Sequence, residues 1–136
     1  MNMNNIWKTI TVTVVCVAVL TIIGIKLFDG DNDFPKPNKG ELTIVEIGAD
    51  LCIPCKLLSP IMEEIKNELA GKASVYKITL GNSGGSVKAF YNVSVIPVII
   101  IYDDKRQEIT RRVFHEDDVD DAKEWIRFII KGEGIE

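Results

Sequence analysis

Residues 42–60 read LTIVEIGADLCIPCKLLSP, and the order of residue types along this stretch decides the fold. Leu42–Gly48 is a short, β-branched apolar run with the character of a buried strand. From Pro54 to Ala70 apolar residues recur at Leu57, Leu58, Ile61, Ile65 and Leu69, spacings of three and four that place them on one face of a helix. Cys52 and Cys55 therefore stand at a strand-to-helix junction, separated by Ile53 and Pro54. Residues three apart in a first helical turn share a face, which brings two sulfurs within disulfide reach. Pro54 fits that turn because its missing N–H would have no helical partner there. Unpaired amides and the positive helix end are expected to stabilise a thiolate at Cys52, making it the nucleophile and Cys55 the resolving thiol. Zinc is the rival use of such a pair, but zinc takes four ligands, and beyond this pair the chain has only Cys16 and His115 to offer as Cys or His.

Toward the C-terminus, Ser74–Leu80 reads as a second strand, Ser86–Tyr91 as a short helix and Val98–Tyr102 as a strand of near-continuous Ile and Val. A turn at Asp103–Arg106 leads into a strand over Glu108–Phe114. His115 and the acidic run Glu116–Asp121 read as a solvated loop and helix start. The last helix begins near Asp117 or Asp118, carries Val119, Ala122, Trp125, Ile126 and Ile129 as its apolar stripe, and ends at Gly132 after Lys131. The order β-α-β-α-β-β-α predicts an α/β fold with a mixed four-stranded sheet. Its two β-α-β connections imply parallel pairs, and its hairpin adds an antiparallel edge.

Toward the N-terminus the character changes. Between Lys8 and Lys26 there are 17 uncharged positions, and the 23 residues Ile6–Phe28 would rise about 34 Å as a helix, enough for a hydrocarbon core of roughly 30 Å. Trp7 suits the headgroup interface, and the two lysines suit snorkelling ends. A cleaved signal peptide is the rival, but no A-x-A-like site follows the run. Cys16 follows Val14 and Val15, too bulky for a lipoprotein site, and reads as an apolar side chain. Lys26, Lys36 and Lys39 outnumber Lys8 and the amino terminus, which nominally favours a cytoplasmic C-terminal part. The short leader and the acids Asp29, Asp31 and Asp33 instead suggest a signal anchor with the C-terminal domain extracytoplasmic, and that orientation is adopted. Residues 29–40 (DGDNDFPKPNKG) lack periodicity and read as an acidic, Pro-containing linker. The expected organisation is an anchor at 1–28, the linker at 29–40 and one domain at 41–136.

A chain of 136 residues has room for a single domain of this kind. Lys8 and Lys26 are the only charged side chains among residues 1–28, so all 20 acids face the remaining 14 of the 16 bases in residues 29–136, a net −6. An acidic domain without a basic stripe argues against nucleic acid as a partner. Three cysteines are too few for a disulfide-stapled scaffold.

Over roughly Leu42 to Lys131 the sequence resembles the thioredoxin family. The carriers are the strand–C-x-x-C–helix junction, Glu46 six positions before Cys52, Lys56 directly after Cys55, Pro60 five positions beyond it, and Ile96-Pro97 before a strand. The resemblance implies a minimal, glutaredoxin-sized thioredoxin-like fold in which Glu46 takes the place of the family's buried acid. Glu46 would carry a raised pKa and shuttle a proton to or from Cys55. It implies a cis peptide before Pro97, with the backbone of Ile96 pairing with a substrate strand, and it aligns Lys77 with the strand lysine that supports the proton transfer. Departures are also plain. Leu51 replaces the expected tryptophan, Gly48 stands where a second aromatic is common, and Ile53 replaces glycine inside the motif, leaving an aliphatic rim.

The expected function is a membrane-tethered thiol–disulfide oxidoreductase. Its catalytic residues are Cys52, Cys55 and Glu46, and substrate contacts come from Ile53, Pro54, Ile96 and Pro97. No metal or cofactor is expected beyond a redox-active Cys52–Cys55 disulfide. Partners are protein disulfides or dithiols and a further redox partner. Oxidising relatives usually carry His before the second Cys, so Pro54 suggests a reductant. The alternative is a non-catalytic thioredoxin-like binding module of a membrane assembly.

Overall fold

The computed structural model describes residues 3–28, 34–81 and 84–134, in two units that divide after Asp33. The first contains one helix, α1, Met3–Phe28. Within it, Ile6–Ile23 is long and apolar enough to cross a membrane, a length and composition that a signal sequence shares. Its threonines bond back along the helix: the Thr11 hydroxyl donates to the carbonyls of Trp7 and Lys8, and Thr13 and Thr21 repeat the pattern. These hydroxyls are thereby satisfied without water, as a hydrocarbon environment requires.

The second unit holds β1 (Leu42–Gly48), α2 (Ile53–Glu68), β2 (Ala73–Thr79), α3 (Gly84–Tyr91), β3 (Val98–Tyr102), β4 (Glu108–Val113), a single 3-10 turn at Val119–Asp121, and α4 (Ala122–Gly132). The sheet order is β2-β1-β3-β4. Strand β1 is central and wholly buried, and its side chains alternate between two cores. Leu42 and Ile44 join Leu58, Met62, Ile65, Ile126 and Ile130 beneath α2 and α4. Val45 and Ile47 join Val87 and Tyr91 on the α3 side. On the first face the series continues to Glu46 and Gly48. Lys123 and Arg127 of α4 reach Glu64 and Glu68 of α2, a surface network that fastens the two helices on that face.

One expectation is corrected. Only β1 and β2 are parallel; β3 runs antiparallel to β1, with Val98 opposite Ile47 and Tyr102 opposite Thr43. Helix α3 carries the chain back along one face of the sheet, and its last residue, Tyr91, packs against Tyr102, which is opposite Thr43 near the start of β1. Residues 92–97 then return the chain, about 20 Å at most when extended. The chain therefore enters β3 at the end of the sheet where β1 and β2 finish. The last helix likewise starts later than its acids suggested, because Val119–Asp121 forms a 3-10 turn first.

Asp29, Asp31 and Asp33 of the expected linker lie outside the described residues, whereas Phe34–Gly40 is attached to the second unit. The ring of Phe34 packs on those of Phe90 and Tyr91, with centroids 5.3 and 5.9 Å away. The buried Tyr91 hydroxyl donates to the Pro35 carbonyl. The Asn38 amide donates to Glu41, Ser74 and Tyr76. Ring pairs and hydrogen bonds contribute about 0.5–1.5 kcal/mol each, so a chain starting at residue 41 should be about 2–4 kcal/mol less stable in urea melts than one starting at residue 34. Equal stability would reduce residues 34–40 to a tether.

Candidate active site

Strand β1 delivers the chain to the site. Four residues, 49–52, separate Gly48 from the helix, and Cys52 is its N-cap: its Sγ accepts a hydrogen bond from the Cys55 amide at 3.3 Å. Capping by a sulfur works because the first helical N–H groups have no partners of their own. Pro54 occupies the first turn, as its lack of an N–H allows. Cys52 and Cys55 are joined in a disulfide with their Cα atoms 5.3 Å apart. The two sulfurs differ in access, since Cys52 is half-buried and Cys55 is buried. Around them Leu51 is 96% and Ile53 61% exposed, which makes the aliphatic rim.

Glu46 lies beneath. It is 0% exposed, and neither carboxylate oxygen has a hydrogen-bond partner among the described residues. Burial pushes its pKa up to about 7, while the positive charge of Lys77 pulls the other way. Lys77 is opposite Glu46 in the β1·β2 register, and its ammonium donates to the Ser59 hydroxyl on α2. Two residues along β1, on the same face, a methyl group built on Gly48 would lie 3.1 Å from Cβ and Sγ of Cys55 and 3.5 Å from Glu46 Oε1. Oε1 and that sulfur are thus no farther apart than 3.1 and 3.5 Å laid end to end, 6.6 Å. A pocket of about 210 Å³ opens here, lined by Glu46, Gly48, Cys55, Lys77 and the flanking Asp50, Lys56, Ser59 and Thr79, with Ala49.

The Ile96–Pro97 peptide is cis. Pro97 is buried, and its carbonyl accepts from the Phe114 amide at 3.1 Å. Because Val98 pairs with Ile47, these two residues arrive at the same sheet end as the cysteines, but they do not line the Glu46 pocket; Ile96 packs with the α3-side core. The sequence-derived residues therefore form two groups: Cys52, Cys55, Glu46 and Lys77 on the α2 face, and Ile96 and Pro97 at the strand end beside it. Pro54 and Ile53 belong to the first turn of α2. Ser59 and Thr79 were not foreseen. Gly48 was noted only as a missing aromatic, although its two-residue spacing from Glu46 already puts both on one face.

Comparison with known proteins agrees with this geometry. A family model described as Thioredoxin matches residues 31–127. The thioredoxin of Staphylococcus epidermidis is 32% identical over 74 residues, covering 54% of this chain and 70% of that protein. The thioredoxin of Staphylococcus aureus matches with the same identity and coverage. Among solved structures, Fasciola hepatica thioredoxin superposes with a TM-score of 0.56 at 23% identity, covering 69% of this chain and 82% of that one. Chlamydomonas reinhardtii thioredoxin f2 gives 0.57 at 18% identity, covering 72% and 84%. At such identities the two structures speak for the fold.

The buried acid has a measurable signature. A carboxyl whose pKa rises from 4.5 to about 7 on folding holds its proton in the folded chain where the unfolded chain has released it. Stability should be greatest below pH 4.5 for this group and fall as pH rises to 7, by about 3 kcal/mol at 1.36 kcal/mol per unit. Urea melts of the oxidised protein should show this fall, and Glu46→Ala should flatten it and raise stability at neutral pH by roughly 1–3 kcal/mol. Identical pH profiles for wild type and variant would remove the buried charge from the energetics.

Proposed function

The chain belongs to the thioredoxin family, and from that premise we propose a thiol–disulfide oxidoreductase that α1 holds to a membrane, with the redox domain extracytoplasmic and acting as a reductant. Thiol–disulfide oxidoreductase activity comes with the family and with the Cys52–Cys55 pair. The single observation that carries the assignment of roles is the asymmetry of the pair. Cys52 caps a helix at the surface, and Cys55 is buried near a carboxyl whose oxygens have no hydrogen-bond partner among the described residues.

In the reduced protein, the Cys52 thiolate, held by the helix amides, attacks one sulfur of a substrate disulfide. That S–S bond breaks, one substrate sulfur leaves as a thiolate, and the other stays bonded to Cys52. Cys55 gives its proton to the Glu46 carboxylate and attacks Cys52. The second substrate thiolate leaves, and the pair ends oxidised, two electrons having passed to the substrate. The backbone at Ile96 and Pro97 offers a strand edge to the substrate, and Leu51, Ile53 and Pro54 supply an aliphatic contact around the attacking sulfur. Lys77 supports the transfer by moderating the affinity of Glu46 for its proton. Pro54, where oxidising relatives usually have His, favours the reducing direction. A reductant in that location is recharged by a dithiol partner at the membrane.

The test is trapping in intact cells with the full chain. Cys55→Ser should accumulate disulfide-linked adducts that a dithiol releases, and Cys52→Ser should form none. Alkylation of the reduced protein at mildly acidic pH should label Cys52 first. Adducts on Cys55 in the Cys52→Ser chain would reverse the roles. A folded wild-type chain that cannot reduce a protein disulfide, even when supplied with dithiol, would make it a binding module.

A further inference from the structure

The acidic run after β4 plays no part in the proposed chemistry, yet the fold brings its first residues to the redox site. Val113, the last residue of β4, is opposite Val98, and the next amide, that of Phe114, donates to the Pro97 carbonyl at 3.1 Å. Residues 115–118 then form a turn that Asp118 holds from within. Its carboxylate accepts from the His115 amide and pairs with Arg112 at 3.1 Å, and its own amide donates to the His115 carbonyl at 3.2 Å. Arg112 also reaches Asp121 at 4.0 Å and lies over the Phe114 ring. Glu116 and Asp117, exposed at the tip, take part in none of these contacts. They precede the start of α4 by six and five residues, beyond the single turn over which a helix end favours acids.

The ground between this turn and the dithiol is apolar. Ile53, Leu57 and Glu64 follow one another along one face of α2, at spacings of four and seven, and Glu64 pairs with Lys123 of α4. That face therefore looks toward α4 and the turn that leads into it. Just beyond the turn, Val119 is buried with Leu58 and Met62 of α2. Ile53 is 61% and Leu57 45% exposed, so the ridge they form is open to a bound chain. On the β2 side of the site, Lys56 and Lys77 outweigh Asp50 around the Glu46 pocket, which leaves the tip of the turn as the negative side. We propose that Glu116 and Asp117 are specificity-determining residues of the redox reaction: they select protein disulfides with an aliphatic residue beside the cysteine and lysine or arginine a few residues away. The aliphatic residue is seated on Ile53 and Leu57, and the cation faces the acidic tip. Opposite charge at the point of encounter speeds association, and like charge slows it. The inference rests on the proposed attack by Cys52 and says which disulfides that attack favours.

The experiment uses the full chain, reduced and held in a non-ionic detergent, with three synthetic peptides. Each peptide has one cysteine between two leucines, capped as a mixed disulfide with thionitrobenzoate, and its two outer residues at each end are lysine, glutamine or glutamate. The Cys52 thiolate bonds to the peptide sulfur as the capping S–S bond breaks, and thionitrobenzoate leaves as a coloured thiolate whose appearance is timed by stopped flow. At low salt the lysine peptide should react about fivefold faster than the glutamate peptide, with the glutamine peptide between them. The difference should largely disappear in roughly 1 M salt, where charges are screened over about 3 Å. Glu116→Lys combined with Asp117→Lys should reverse the order. Asp104→Lys combined with Glu133→Lys changes the net charge equally at two exposed positions beside Leu42, at the opposite end of the sheet, and should keep the wild-type order. Equal rates for the three peptides, an order that survives reversal at 116 and 117, or one that the distant pair reverses as well, would overturn the proposal. Release that continues unchanged after Cys52→Ser would take the attack away from Cys52, and the inference would fall with that reading, a result distinct from an absence of charge preference.

Discussion

The structure depends on how abruptly β1 becomes α2. Only four residues, 49–52, separate the buried strand from the helix, so the first helical turn is held at the end of the sheet, and whatever lies in that turn is fixed relative to the side chains of the strand. The junction puts one sulfur at the helix N-terminus, where unpaired amides meet it, and the other one turn inward, over the face on which Glu46 and Gly48 project. A longer connection would allow the helix to drift, and the carboxyl would then be a buried charge with nothing to serve. The strand can hold that position because it is paired on both sides and buried along its whole length.

The direction of β3 matters as much for a different reason. Had β3 followed α3 directly, it would have started at the opposite end of the sheet, beside Tyr102, and Ile96 and Pro97 would lie a strand's length from the cysteines. Residues 92–97 instead run back to the end of β1 and bring Ile96 and Pro97 to the catalytic end. A stretch outside any helix or strand thus determines which loop accompanies the dithiol.

Much of this was legible in the sequence, and what was not has physical causes. The periodicities of Leu42–Gly48 and of Leu57 to Leu69 specify a strand and a helix, and the cysteine spacing between them specifies the site. Strand direction was not legible, because a two-residue alternation is the same read up or down, and the segment 92–97 that turns the chain back has no periodicity of its own. Phe34, Pro35 and Asn38 were hidden inside a stretch whose prolines and charges suggest a free linker, since their partners Tyr91, Phe90, Ser74 and Tyr76 lie far along the chain. Gly48 carried a signal of the subtler kind. A glycine announces that something comes close, and what comes close here is a residue seven positions later, visible only when the helix is folded onto the strand.

The unpartnered carboxyl under Cys55 has one more consequence. Two groups within 6.6 Å in a poorly screened interior sense each other's charge, and such coupling is reciprocal. By whatever free energy the oxidation state of the sulfurs alters the grip of Glu46 on its proton, the protonation of Glu46 alters the grip of the sulfurs on their electrons. With that acid poised close to neutrality, the domain's electron affinity follows the acidity of the medium around it, and a chain of this design carries a pH-responsive redox potential within its core.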